Sequence, residues 1–399
     1  MNQTFRIFIL SFFAVGALLT CACGGSSANK TNGDTGKVKP TDTQTISNVK
    51  FDRKFNDYAR FMAGMTAMSG SSLAGMDSVA SLQVNVKQFN TRWAEMDKNR
   101  LSAMRKWATD ELYPKVDENL NTFYPFSGPD FLNVVQFFPK SKKYLFLANE
   151  MVGRVPNLGK MNVSQRAGYF QNIASALKDI FNRSYFITQY MGSDIPKVQG
   201  TIPLFMVFMV RTGNEVLNVE HITVDASGKA VIVAEGSNIF PSGVRITFRP
   251  EDNKNDIRTL EYFNYDITNV GVKGNAGLRA KPGFVKYVKS FGKCNSFLKA
   301  ASYCPHYESF SDIKDITVQL SAALLQDDTG VPWKFLKNIF TPYLYGEYVK
   351  PIANFGGSGY FQPELAKMYK DSGNVKKLPF SLGYHFQDNK QNYMLFVKK

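Results

Sequence analysis

The chain has 399 residues, of which 44% are hydrophobic and 14% aromatic, with 33 Phe and 19 Tyr. That composition supports a large packed core, excludes an intrinsically disordered chain, and at this length allows one large domain or two coupled ones. The net charge of +15 suits anionic partners such as phospholipid, lipopolysaccharide or acidic glycan, whereas no dense Lys/Arg block with interleaved aromatics marks a nucleic-acid surface.

The first six residues are polar with one cation, Arg6, and Ile7 to Leu19 is then apolar or small without interruption. A spanning helix needs about 20 apolar residues, so this run is too short to cross a bilayer and has instead the layout of a cleaved export signal. The string Leu18-Leu19-Thr20-Cys21-Ala22-Cys23 that closes it resembles the lipobox of bacterial lipoproteins. That resemblance implies lipid attachment at Cys23, which follows the small Ala22. Cys21 is the alternative, since Leu18 stands three residues before it, although Thr20 is a poor small residue. Residues 1–23 are therefore expected to be a lipoprotein signal and 24–50, polar and Gly/Ser/Thr-rich, a flexible tether. The expected location is the bacterial cell envelope, with the lipid in a membrane outside the cytoplasm, the outer membrane being favoured. Two or more acyl chains make such an anchor durable, each buried methylene adding about 0.8 kcal/mol.

Residues 51–399 are expected to form a globular α+β domain with a possible internal boundary near 195–200. Phe51, Phe55, Tyr58, Met62 and Met65 share one helical stripe. Val86, Phe89, Trp93, Met96, Ala103 and Trp107 predict a longer helix ending near Pro114, with Arg100 on its apolar seam as a charge that either leaves the core or needs a partner. A third helix is expected through Phe170, Ile173, Leu177, Ile180 and Phe181 to about Tyr190. The apolar run Pro203 to Val210 is expected to be a buried core element. The period then changes. Val216–Val224 and Ala230–Ala234 flank the turn cluster Asp225-Ala226-Ser227-Gly228, predicting a hairpin, and Val244–Phe248 and Thr259–Asp266 read as further strands. Helices are expected over Lys281–Ser290 and Lys293–Cys304, and a closing hairpin from Leu382–Phe386 and Tyr393–Val397. Helices first and antiparallel strands later give an N-terminal helical layer packed on a largely antiparallel sheet. On the helix expected over 293–304, Cys294 and Cys304 stand roughly 15 Å apart, which predicts two buried free thiols.

Candidate chemistry is sparse. The string Tyr124-Pro125-Phe126-Ser127-Gly128-Pro129-Asp130 and the string Asp327-Asp328-Thr329-Gly330-Val331-Pro332 resemble those of an uncharacterised family of bacterial exported proteins, over most of residues 51–399. The resemblance implies a shared fold and no particular activity. Read physically, Ser127 has the spacing of a helix cap, accepting from the backbone at Asp130, with Pro129 in the first turn. Asp328-Thr329-Gly330 matches the tripeptide of aspartic proteases. The second such site is missing, because Asp371-Ser372-Gly373 reads as a helix end, so a turn is expected at 327–332. His221, His306 and His385 form no zinc or metalloprotease spacing, although His306 and Glu308 could pair as acid and base. Gly271, Gly274 and Gly277 with Lys273, Arg279 and Lys281 could cradle an anion, or serve simply as a connector. No cofactor or metal is expected. The leading reading is a binding or structural module with a possible anionic envelope ligand and a membrane contact through the N-terminal lipid, and no role for nucleic acid. The alternative is an exported hydrolase acting on an envelope or scavenged polymer, with Ser127, Asp130, His306, Glu308, Asp327 and Asp328 as candidate catalytic residues. The enzyme requires these groups, with Tyr124, to share one cleft.

Overall fold

The computed structural model describes residues 51–399 apart from 77–78, 273, 353–356 and 385–391. The expected export signal and tether, with Cys21 and Cys23, and also Lys273 and His385, therefore lie outside the described residues. The fold is α+β, built on a ten-stranded sheet in the order β4-β3-β5-β6-β2-β1-β7-β8-β10-β9. The strands are β1 Thr122–Pro125, β2 Lys143–Ala148, β3 Asn214–Val224, β4 Ala230–Ile232, β5 Gly243–Pro250, β6 Arg258–Asn264, β7 Cys294–Leu298, β8 Ser321–Gln326, β9 Phe340–Gly346 and β10 Asn392–Lys398. Five of the nine pairings are antiparallel and lie on the two wings. The four central pairings, which join β6, β2, β1, β7 and β8, are parallel.

Alternation along the central strands supplies both cores. Tyr124, Tyr144, Phe146, Leu260, Tyr262, Phe297 and Leu325 face the large N-terminal helical layer. Phe123, Leu145, Leu147, Phe263 and Cys294 face the opposite side, against helices carrying Phe284, Tyr287, Ile313 and Ile316. The helical layer holds α1 Arg53–Met62, α2 Ala80–Met96 and α3 Ser102–Trp107, with π-helical turns at Asp97–Leu101 and Ala108–Leu112. The apolar run around Pro203–Val210 is a helix, Ile202–Arg211, whose residues 202–210 are all buried. The core passes through Ile195, Val198 and Ile202 without a break.

The way the parallel strands are joined sets the position of the site. The connection from β1 to β2 runs through a helix, Phe131–Phe137, on the face of the large helical layer. The connections from β6 to β7 and from β7 to β8 run through helices Pro282–Ser290 and Ser311–Leu320 on the other face. The chain thus leaves the carboxyl ends of the neighbouring strands β1 and β7 toward opposite faces. Such a reversal is the topological switch point at which open sheets with parallel strands form ligand crevices.

Several expected elements are placed differently. Residues 294–298 are a strand, not a helix: they are buried on both faces, so no polar alternation marks them, and their apolar spacing imitates a helical stripe. Cys294 and Cys304 are nevertheless both free, the first buried and the second half-buried, and burial pushes each thiol up to about 12. The third helix is broken into Val163–Ala176, Lys178–Arg183 and Thr188–Lys197, the second break falling at Ser184, which takes a left-handed conformation. The hairpin at Asp225–Gly228 is present as β3 and β4. The chain closes on an antiparallel pair, with β10 lying between β8 and β9, while Leu382 to Tyr384 run outside any strand.

Candidate functional site

The switch point gathers charged groups from three neighbouring strand ends. Asp130 lies in the loop after β1, Lys299 directly follows β7, and Asp327 and Asp328 directly follow β8. All four are almost completely buried, as are Tyr124, Asn133, Ser184, Tyr303, Thr329 and Asn392. Burying charge to this degree is costly unless each group is paired and hydrogen-bonded.

Asp130 is the hub. Its Oδ2 receives the Lys299 ammonium at 2.7 Å and the Tyr124 hydroxyl at 3.2 Å. Its Oδ1 accepts from the Asn133 backbone N–H at 3.2 Å, capping the helix that starts at Phe131, and from Asn133 Nδ2 at 2.7 Å. Lys299 and Asn133 Nδ2 also both donate to the Ser184 carbonyl, at 2.6 and 3.2 Å, which ties the break in the third helix to the site. The cap is therefore Asp130 and not Ser127, whose hydroxyl donates instead to the Leu147 carbonyl of β2 at 3.4 Å. The aspartate reaches two N–H groups of one asparagine while holding a cation, which a serine hydroxyl could not do. Burial pushes the Lys299 ammonium down despite its pairing with Asp130, and pushes the Tyr124 hydroxyl far up.

Asp327 accepts from the Ala300 N–H at 2.8 Å, from the Thr329 N–H at 3.0 Å, and from the Thr329 hydroxyl. The turn expected at 327–332 is present, closed by Gly330 N–H to the Asp327 carbonyl at 3.2 Å. Burial, reinforced by the neighbouring charge of Asp328, raises the Asp327 carboxyl to about 6. Asp328 accepts from the Tyr303 hydroxyl at 2.7 Å and Asn392 Nδ2 at 2.9 Å, and its own N–H donates to Asn392 Oδ1 at 2.7 Å. Gly383 lies over Asp327 with φ of +79°; a Cβ there would come within 2.7 Å of Asp327 Oδ2.

The backbone around these groups is unusual. Six non-glycine residues have positive φ among the described residues: Phe126, Ser184, Gln199, Ala300, Ser302 and Tyr303. All but Gln199 belong to the loops that build the cluster. Strain of this kind costs on the order of 1–3 kcal/mol per residue and persists only where the surroundings enforce it.

His306 is half-buried beside the cluster. Its Nε2 lies 3.3 Å from the Asp328 carbonyl oxygen, its ring meets Tyr303 edge-on, and burial pushes it down to about 4. Glu308 is exposed and makes no bond to His306; the pairing considered from sequence is not formed. His221 contacts the Gly153 carbonyl oxygen, remote from β1 and β7. In the glycine-rich segment, Arg279 pairs with Asp312 and Lys281 donates to Ala276, while Gly271 and Gly277 pack too closely for any Cβ. That segment is a connector. Among the described residues no group of three or more His, Cys, Asp and Glu side chains is placed to hold a metal ion.

The structure thus brings together Tyr124, Asp130, His306, Asp327 and Asp328 and leaves Glu308 outside. Ser127 sits at the edge, committed to β2. The sequence reading missed Lys299, Ser184 and Asn133. Lys299 carries a usable signal, a lone cation directly after a five-residue buried run, but that signal is visible only when the run is taken as a strand. No family model, curated protein or solved structure matches the chain.

Proposed function

We propose that the chain is a membrane-tethered lipoprotein of the cell envelope, anchored through Cys23 or Cys21, whose body is a binding module for an anionic envelope ligand. One observation carries the choice of binding over chemistry. Asp130, Lys299, Asp327 and Asp328 at the switch point are sealed from solvent and already bonded within the protein, so no reacting atom can approach them without local opening. A general acid or nucleophile needs a reachable substrate position beside it. Strained loops and a dense polar hub fit a rigid platform that fixes the carboxyl edge of the sheet.

The alternative, an exported hydrolase, draws support from the Asp327 carboxyl near 6, next to Asp328 and within one loop of His306. The two readings separate in a panel of ester, glycoside, peptide and phosphate-ester substrates. Binding without turnover is expected; turnover that disappears in both Asp327→Asn and His306→Ala establishes the hydrolase. The anchor is tested by metabolic acyl labelling with fractionation. Cys23→Ser is expected to lose label and membrane association, and label retained there moves the anchor to Cys21.

A further inference from the structure

Beside the sealed hub lies an open cleft of about 920 Å³, bounded by the π-helical turn after α2, residues 181–182 of the helix Lys178–Arg183, the end of β9 and residues 377–381. Its volume falls in the range of small-molecule sites, roughly 300–1,000 Å³. Met96, Phe181, Leu378 and Phe380 give it apolar walls.

Arg100 is one of its lining residues and is only 5% exposed. The guanidinium donates through Nη2 to the Ile180 carbonyl at 2.7 Å, and its Nε is buried without any hydrogen-bond partner. No carboxylate lies within ion-pairing distance of it among the described residues; Asp130, which acts on it electrostatically, is already bonded to Lys299. A buried arginine short of partners is expensive, and one that lines a cleft is placed to receive the missing anion from outside. The backbone supports this placement. The π-turn Asp97–Leu101 widens the helix at Arg100, a distortion frequent at functional sites.

The charges at the rim narrow the ligand. Arg92, which donates to Asn182, and Lys377 add positive charge, while the exposed Glu95 and Glu347 oppose a second negative one. We infer that this cleft binds an amphipathic monocarboxylate, its carboxylate on Arg100 and its apolar body along Phe181, Leu378 and Phe380. The proposal deepens the binding-module reading and rests on it, because it names the ligand class.

The test is calorimetric titration of octanoate, octyl phosphate and octanol into the full chain held in phosphatidylcholine nanodiscs, with empty nanodiscs subtracted. Octanoate is expected to bind best, octyl phosphate more weakly because of its second charge, and octanol least. Arg100→Met should weaken octanoate by about tenfold or more while leaving the thermal midpoint unchanged or higher, since a charge-assisted bond is lost on binding but no folded pair is broken. Glu95→Gln should tighten octanoate by about twofold and Lys377→Gln should loosen it by a similar factor. Unchanged octanoate affinity in a folded Arg100→Met protein overturns the assignment, as does octanol binding as well as octanoate, octyl phosphate binding more tightly, or no binding at all. Failure of the binding-module reading appears elsewhere, as turnover in the substrate panel, so the two can fail separately.

Discussion

The hub at the ends of β1, β7 and β8 and the cleft at Arg100 both hold cations inside the protein, and they resolve the cost of burial in opposite ways. Lys299 is surrounded: a carboxylate on one side, a carbonyl on another, strained loops locked over it. Arg100, bonded to a single carbonyl and lining the cleft, is left short. The comparison teaches that buried charge alone does not mark a working site. What distinguishes the two is whether the fold itself completes the partners, and only the incomplete one has something left to offer a ligand.

Removing one member of the hub gives the sharpest contrast. Lys299→Met leaves Asp130 buried without its cation and is expected to cost about 3–5 kcal/mol in chemical denaturation, with part recovered in the double variant with Asp130→Asn. A loss below about 1 kcal/mol would mean that the hub is not closed as described. Next comes Gly383→Ala, which places a Cβ against the Asp327 carboxylate at positive φ and should destabilise by about 2 kcal/mol.

The Asp327 carboxyl supplies a pH signature of intermediate size. Its folded value of about 6 lies above that of an unfolded aspartate, so between roughly pH 4 and 6 the folded state holds the proton and the unfolded state does not. Its contribution therefore favours folding below that window and is lost as the pH rises through it. The stability difference between wild type and Asp327→Asn should shift with pH in that sense, and a flat difference from pH 4 to 7 would contradict it. The smallest effect belongs to the cleft. Arg100→Met should change stability by no more than about 1 kcal/mol, and in the stabilising direction, because the charge it removes has no ion-pair partner. A loss as large as that of Lys299→Met would erase the distinction between the two regions.

Much of the frame was legible before any coordinates. The stripes of the first helices, the hairpin at Asp225–Gly228, the buried run at Pro203–Val210 and the turn at Asp327–Pro332 all follow from local period and turn chemistry. Arg100 stood out as a charge on an apolar seam, and it is buried. What misled was burial on both faces: residues 294–298 lost the alternation that marks a strand, and with it went Lys299 as a strand-end residue. The spacing of Ser127 and the proline at 129 point to a serine cap, whereas the cap is Asp130, whose carboxylate binds Lys299 and Asn133 at once.

The sequence by itself determined the α+β composition and the position of most elements, because these depend on neighbours within a few residues along the chain. The parallel centre, the switch point between β1 and β7, and the meeting of Asp130, Ser184 and Lys299 were decided only by tertiary structure. Partners as far apart along the chain as Asp130 and Lys299 leave no local periodicity. Their contact depends on which face of the sheet each crossover takes, a choice the packing of the whole chain makes.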